Sequence, residues 1–135
     1  MLPADAGRGS WRNPPSMAAR PRRIMVGYDG SDASGRALDA AADLAGYGST
    51  LAVVSVRSDG SDRSAEGDAR EQLQGRLVQA GYHVATGEPA TELVEKANEL
   101  EADLLVIGRG DAWPMLGSVS SKVVSRATCD VLVVR

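Results

Sequence analysis

The sequence of 135 residues predicts an α/β fold in which a parallel sheet of five strands lies between two layers of helices. Short apolar runs alternate along the chain with segments whose apolar residues recur at helical spacing, and short turn-forming stretches separate them. Such alternation with short connections is typical of a parallel sheet that carries helices on both faces. Because crossover connections are right-handed, few topologies remain, and we expect the strand order 3-2-1-4-5.

Five apolar runs predict the strands, and they cover residues 24–28, 51–56, 82–85, 103–107 and 131–134. The first run is short and apolar, as expected for a strand that is buried on both faces. The third run is more polar, which favours a position at the edge of the sheet. In the expected order the first strand lies beside the fourth, where the winding of the sheet reverses and where open α/β sheets bind their ligands.

Apolar residues at helical spacing predict a helix between each pair of successive strands. The defining residues are, helix by helix, Ala37, Leu38, Ala41, Ala42 and Ala45; Ala69, Leu73, Leu77 and Ala80; Leu93, Val94, Ala97 and Leu100; and Val119, Val123 and Val124. We expect the first helix to follow the turn and cap residues 29–32 and to end at Gly46 or Gly48. Gly81 is expected to end the second helix as its C′ residue and Pro89 to begin the third. The fourth helix is expected to cover residues 118–127.

Charge is distributed unevenly along the chain. Residues 1–23 contain five arginines and one aspartate, a balance of +4. Since the whole chain has a net charge of −3, residues 24–135 carry a net charge of −7. An acidic body disfavours binding to nucleic acid. Residues 1–21 are rich in proline and small residues, so we expect a disordered basic tail ahead of a folded domain at 22–135. No apolar run approaches the roughly 18 residues of a membrane span, and no secretory signal is evident, so we expect a cytoplasmic protein.

The two strands expected to lie side by side are followed by glycine and aspartate. Gly27 and Asp29 lie at the end of the first strand, and Gly108, Arg109 and Gly110 follow the fourth. Glycines here permit a positive φ or the close approach of a ligand, although they also suit ordinary turns. Asp29 can accept hydrogen bonds from ribose hydroxyls, or it can shape the turn into the next helix. Arg109 can pair with a phosphate, or it can point into water.

Gly117, Ser118 and Ser120 have the character of the opening turn of the fourth helix. The unpaired N–H groups of a helix N-terminus carry a partial positive charge, and a glycine there lets a phosphate approach the backbone. Ser118 can equally be an ordinary N-cap. If the two strand ends and this helix meet, they form a crevice that suits a phosphate-bearing ligand.

No constellation for hydrolysis is evident in the sequence. It lacks the phosphate loop Gly-x-x-x-x-Gly-Lys-Ser/Thr and the nucleophile elbow Gly-x-Ser-x-Gly. The single histidine, His83, lies on the expected edge strand, and the single cysteine, Cys129, has no histidine placed to activate it. We therefore expect structural roles for both, no catalytic residue and no metal site.

The segments 24–31, 87–90, 102–108, 116–120 and 129–134, taken together and in this order, resemble the universal stress protein family over residues 22–135. The resemblance implies a flavodoxin-like or Rossmann-like three-layer sandwich. It also implies a homodimer formed by antiparallel pairing of the last strands, here Val131, Leu132, Val133 and Val134. The implied function is that of a stress-response protein acting as a regulatory or protective dimer, with protein partners that the sequence does not identify.

Many members of this family bind ATP or AMP, with Mg expected only alongside ATP. Carried over by position, Gly27 and Asp29 border the nucleoside and Val56 lies against adenine. The residues implied around ribose and phosphates are Gly108, Gly110, Gly117, Ser118 and Ser120. Any hydrolysis of ATP would be very slow, because no base is placed to activate water.

The loop between Gly108 and Gly117 departs from the family pattern. That pattern spans thirteen positions from its first glycine to its last, whereas this chain spans nine. The intervening residues can bridge the gap, since an extended chain covers roughly 3.3–3.6 Å per residue, but they leave less length to enclose a triphosphate. The alternative is therefore a nucleotide-independent scaffold or chaperone-like interaction module.

Overall fold

The computed structural model of the protein describes residues 23–46, 48–57, 64–110 and 118–135, and for residues 64 and 118 it describes the backbone alone. The basic tail expected at residues 1–21 lies outside the described residues. The strands are β1 (Arg23–Gly27), β2 (Thr50–Arg57), β3 (Ala80–Thr86), β4 (Leu104–Gly108) and β5 (Asp130–Val134). The helices of the described residues are α1 (Asp32–Leu44), α2 (Ser64–Leu73), α3 (Pro89–Glu99) and α4 (Ser118–Arg126).

The five strands pair in parallel in the order β3-β2-β1-β4-β5, which confirms the order expected from the sequence. β1 lies at the centre, where Met25 pairs with Ala52 of β2 on one side and with Leu105 of β4 on the other. The chain leaves the sheet in opposite directions from β1 and from β4. The connections that follow these two strands therefore diverge, and a crevice remains at the carboxyl ends of β1 and β4.

The sheet divides the core into two apolar layers. Ile24 and Val26 pack with residues of α1 and α2, whereas Met25, which lies between them in β1, packs with residues of α3 and α4. All three side chains are at most 1% exposed. Burial on both faces explains why β1 is a continuous apolar run rather than an alternating one. Ala37 and Ala41 are fully buried on α1, and their small side chains let this helix lie close to the sheet.

The second helix ends earlier than the sequence predicts. α2 ends at Leu73, and Gly75 follows with a φ of +84°, a left-handed conformation that commonly terminates helices. Leu77, which was expected to define the helix, is fully exposed. Ala80 and Gly81 belong to β3 and pair with β2. The prediction of a helix that continues to Ala80 and ends at Gly81 is therefore wrong, because Gly75 stops it and strand pairing takes the later residues.

Only one stripe of α4 faces the sheet. Val123 is fully buried and Val119 is half-buried, as expected for residues four positions apart on one helix face. Val124 was expected to point inward but is 47% exposed. This expectation is wrong because Val124 is turned by about 100° from Val123 around the helix axis.

An acidic N-cap joins α3 to α4. The carboxylate of Glu88 accepts hydrogen bonds from the Ala90 N–H at 3.2 Å, the Thr91 N–H at 3.0 Å and the Thr91 hydroxyl at 2.6 Å. Lys122 and Arg126 of α4 lie 3.9 and 3.7 Å from the same carboxylate. The hydrogen bonds from Thr91, aided by Ala90 and Lys122, lower the pKa of Glu88 to about 2.

We expect this cap to weaken in acid. The pKa of Glu88 is about 2 in the folded chain, against 4.5 for a glutamate in the unfolded chain. The stabilisation that this cap gives the folded chain is therefore complete above about pH 4.5 and is lost as the pH falls towards 2. Replacement Glu88→Gln should therefore reduce the loss of unfolding free energy over this range, measured by urea unfolding at successive pH values. Glu95→Gln, at an exposed position of the same helix, is the control. An identical acid dependence in wild type and Glu88→Gln would contradict the prediction.

Candidate functional site

A cleft opens where the carboxyl ends of β1 and β4 meet α3 and α4. Its volume is about 340 Å³, which lies in the range of about 300–1,000 Å³ that small-molecule sites occupy. Six of the nine residues that the sequence singled out line it, namely Gly27, Asp29, Val56, Gly108, Gly110 and Ser120. The cleft thus lies at the reversal of the strand order, where ligands bind in open α/β sheets.

The other three residues that the sequence singled out are Arg109, Gly117 and Ser118. Arg109 does not line the cleft, although both of its neighbours do. Its backbone N–H donates to the Val134 carbonyl at 2.7 Å, which joins the loop after β4 to the end of β5. Gly117 lies outside the described residues, and Ser118 is described only through its backbone, which begins α4.

Asp29 shapes the turn that leads from β1 into α1. Its Oδ1 accepts a hydrogen bond from the Ser31 N–H at 2.9 Å, and its own N–H donates to the Ser34 hydroxyl at 3.2 Å. Ser31 in turn is the N-cap of α1, because its hydroxyl accepts from the Ser34 N–H at 3.2 Å. Asp29 therefore has the turn-shaping role that the sequence allowed. It also lines the cleft, and a carboxylate has about four acceptor positions, so this turn does not exhaust its capacity.

The Asp29 carboxylate is ionised at neutral pH. Partial burial acts to raise its pKa, but hydrogen bonds from the Ser31 side chain and backbone, from Ser34 and from its own backbone outweigh burial. The net effect is a pKa below the ordinary value of 3.8. Asp29 is consequently a hydrogen-bond acceptor with a fixed negative charge, and it is a poor general base, which requires a pKa near the working pH.

The wall of the cleft beside Asp29 is held by a buried hydrogen bond. The Ser55 hydroxyl of β2 donates to the Tyr28 carbonyl at 2.8 Å, and the Tyr28 N–H donates to the Val54 carbonyl at 2.9 Å. Tyr28 is 7% exposed. Burial, followed by the charges of Asp68 and Asp29, raises the pKa of its phenol. These contacts extend the pairing of β1 with β2 past the end of β1 and fix the backbone that carries Asp29.

The two glycines that end or follow β4, Gly108 and Gly110, do not have the positive φ that the sequence allowed. Positive φ angles occur at Gly30, Gly48, Gly75 and Gly87, and neither Gly108 nor Gly110 has one. A Cβ at Gly108 would overlap the backbone of Ala33 and Ser34 at the start of α1. A Cβ at Gly110 would meet no atom within 4 Å among the described residues. Gly108 is thus required for close packing of β4 against α1, and Gly110 leaves open space at the mouth of the cleft.

Several residues of the cleft were not singled out from the sequence. The apolar ones include Pro89, Leu93, Ile107 and Val119. Leu93 lies directly over the end of β1, since a Cβ at Gly27 would lie 3.2 Å from its Cδ2 atom. A right-handed crossover from β3 to β4 must pass over β2 and β1. The first turns of the third helix therefore had to reach the crevice, and this was the signal that could have identified Leu93.

The single histidine and the single cysteine lie outside this cleft. His83 is in β3 at the sheet edge, as expected. Cys129 is half-buried, and burial raises the pKa of its thiol, which opposes formation of the reactive thiolate. Within residues 23–46, 48–57, 64–110 and 118–135, no three His, Cys, Asp or Glu side chains cluster as metal ligands. In the same ranges no helix has the length and hydrophobicity of a membrane span.

The fold and the cleft together define a doubly wound parallel α/β domain with a cleft of small-molecule size at its switch point. A family model, that of the universal stress protein family, matches residues 21–135. The chain is 33% identical to universal stress protein YxiE of Bacillus subtilis over 145 residues, with 84% of this chain and 98% of that protein covered. This chain belongs to the universal stress protein family.

Solved structures of the family agree with the fold. A universal stress protein in complex with cAMP is 28% identical, with a TM-score of 0.77, and the match covers 87% of this chain and 98% of that one. Protein Rv1636 from Mycobacterium tuberculosis is 34% identical, with a TM-score of 0.66 and coverage of 87% and 97%.

Proposed function

We propose that this universal stress protein binds an adenine nucleotide, ATP or AMP, in the cleft between β1 and β4 and acts as a regulatory or protective dimer in the stress response. The observation that carries the proposal is the division of the cleft into an apolar and a polar part. Val56, Leu93 and Ile107 supply apolar surface, whereas Asp29 and Ser120 supply polar groups. A planar base attached to a sugar and a phosphate has the same division.

The apolar part suits the base. Val56 at the end of β2, Leu93 of α3 and Val119 of α4 belong to one apolar cluster and leave a slot above the sheet. The polar part suits the sugar and the phosphate. Asp29 can accept from ribose hydroxyls, and the N-terminus of α4, with the buried Ser120 in its first turn, can receive a phosphate. A similar protein that binds cAMP, noted above, supports an adenine ligand.

The chemistry of the cleft favours binding over turnover. Asp29 is the carboxylate among its described lining residues, and its pKa lies below the ordinary value. Such a group takes up a proton weakly and activates water poorly. We therefore propose a nucleotide sensor whose occupancy changes its interactions, with at most very slow hydrolysis of ATP.

A second candidate function is that of a nucleotide-independent scaffold or chaperone-like module. The short connection from Gly108 to Gly117 favours it, because this chain has nine positions where the family pattern has thirteen. The two candidates differ in one measurable respect, which is whether the purified chain binds a nucleotide at all.

Isothermal titration calorimetry with ATP, ADP, AMP and cAMP at up to millimolar concentration tests the proposal. We expect binding of at least one of these ligands. Replacement Val56→Trp, which fills the apolar part of the cleft, should weaken binding at least about tenfold. Val124→Trp, at a position of α4 that is 47% exposed and does not line the cleft, is the matched control and should bind like wild type. Absence of heat with all four ligands would contradict the nucleotide sensor and favour the nucleotide-independent scaffold.

A further inference from the structure

The outer edge of β3 has backbone groups that no strand of the described residues pairs. β3 lies at one end of the strand order and pairs with β2. The Leu51 N–H donates to the Gln79 carbonyl and the Gly87 N–H donates to the Arg57 carbonyl, both at 2.9 Å. Alternate residues of a parallel strand point their N–H and carbonyl groups to opposite sides, so the odd-numbered residues of β3 pair with β2. The inward N–H groups are those of Gly81, His83 and Ala85. The outward N–H groups are those of Tyr82, Val84 and Thr86.

An acidic groove runs beside this free edge. Its volume is about 510 Å³, and it lies between the second half of β3 and the acidic side chains of α3. Lys96 and Glu99 form an ion pair at 2.7 Å, whereas Glu92 and Glu95 have no ion pair among the described residues. An extended segment with positive side chains matches both features, because it can pair with the strand edge and neutralise the acids.

The segment ahead of β1 has the charge that this groove lacks. Residues 1–22 contain four arginines, one aspartate and no lysine. Proline cannot donate to a strand ladder, and the longest stretch of this segment without proline is 4–13. Within that stretch Arg8 and Arg12 are four positions apart, so an extended conformation puts both on one face and Trp11 on the other.

The same segment is long enough to reach the edge. Arg23 begins β1 and pairs with Thr50, and Ala80 begins β3 and pairs with Leu51, so both strands start at the same end of the sheet. Neighbouring strands lie about 4.8 Å apart, which puts a strand added outside β3 about 14 Å from β1. Residues 14–22 cover about 30 Å when extended. A strand that returns to β1 by this route runs antiparallel to β3, as edge strands of parallel sheets often do.

We infer that residues 8–13 of this chain add to the free edge of β3 as an antiparallel strand, with Arg8 and Arg12 facing the acids of α3. In a strand the two arginines are about 13 Å apart. This separation is comparable with the roughly 10 Å that α3 covers from Glu92 to Glu99. The inference goes beyond nucleotide binding and does not depend on it.

The added strand also accounts for Trp11 and for an exposed part of β3. Trp11 then lies on the face of the sheet opposite α3. Tyr82 packs with the core on that face, and Val84, two positions later, is 41% exposed there. An unpaired edge strand invites association with other chains, and a strand of the same chain prevents this. Residues 8–13 thus have a defined position, in place of the disorder expected from composition.

Amide hydrogen exchange of the full chain, resolved by residue with NMR, tests this inference. The double variant Arg8→Glu/Arg12→Glu places negative charge against the acids of α3 and should release the added strand. The outward N–H groups of β3 should exchange at least about tenfold more slowly in the wild-type chain than in this variant. The inward N–H groups donate to β2 and should exchange equally in both. An equal change in the two sets would mean that β3 itself opens, and it would overturn the inference.

Arg20→Glu/Arg22→Glu is the matched control, because it makes the same change of charge outside residues 8–13. It should leave the outward N–H groups protected. A charge swap that adds Glu92→Arg and Glu95→Arg to the Arg8→Glu/Arg12→Glu variant should restore their protection. Failure of the swap to restore any protection would contradict the pairing of these arginines with α3.

The wild-type chain alone supplies two further outcomes. Outward N–H groups that exchange as fast as those of an unstructured peptide would overturn the inference. Protection that falls when the protein is diluted would also overturn it, because the edge would then be covered by a second copy. Protection that is independent of concentration and is lost in Arg8→Glu/Arg12→Glu is the result we expect.

Discussion

Replacing Gly108 with alanine is expected to lower the free energy of unfolding by about 3 kcal/mol, the upper part of the range for overpacking a core. The added Cβ would overlap the carbonyl of Ala33 and approach the Ser34 nitrogen at 3.0 Å. These are backbone atoms in the first turn of a helix, so they cannot move aside as the tip of a flexible side chain can. Relief requires α1 to shift away from β4. Urea unfolding of the variant, compared with wild type, measures the effect.

Gly110→Ala is the matched control for this prediction. Gly110 lies two positions after Gly108, in the connection that follows β4, its φ is not positive, and a Cβ there meets no described atom within 4 Å. We expect a change within about 0.5 kcal/mol, as for an ordinary surface substitution. Equal stability of the two alanine variants would contradict the close packing of β4 on α1.

The sequence was sufficient to predict the sheet because its signals are local and agree with one another. β1 and β4 are apolar runs, and right-handed crossovers restrict their order. The end of α2 was not predicted, because the spacing of Leu73 and Leu77 continues the helical pattern. Nothing in that pattern says that Gly75 takes a left-handed conformation with φ +84°. A glycine between two apolar residues at helical spacing can interrupt a helix as well as lie within it.

The candidate site was predictable where it depends on strand ends and less so where it depends on packing between helices. Gly27 and Gly108 end their strands and Asp29 comes two residues after β1, so the strand order alone brings these three residues together. Leu93 reaches the same cleft because the crossover from β3 to β4 carries the start of α3 over the end of β1, and Ser34 reaches it from the first turn of α1. The role of Gly108 likewise depends on how closely α1 approaches β4, a distance that the sequence does not contain.

Arginine at position 132 is expected to convert the proposed dimer into a monomer. β5 is an edge strand of the five-stranded sheet, and Leu132 on it is 37% exposed. An apolar edge strand invites pairing with a second copy. In antiparallel pairing about a two-fold axis each substitution acts on both sides of the interface, and two arginines come close together. At about 2 kcal/mol for each side, the dimer dissociation constant should rise by about a thousandfold.

Light scattering coupled to size-exclusion chromatography at micromolar concentration measures this change. Val84→Arg is the matched control, because Val84 lies on β3 at the opposite edge and is 41% exposed. A general effect of added surface charge would act on both variants, whereas loss of the β5 interface acts on Leu132→Arg alone. A dimer that persists in Leu132→Arg but dissociates in Val84→Arg would move the interface to β3. Val131 and Val133, which alternate with Leu132 along β5, pack with α3 and α4, so the variant at position 132 leaves that face of β5 unchanged. The monomer it produces should therefore retain the nucleotide affinity of the wild-type chain if the cleft is complete within one protomer.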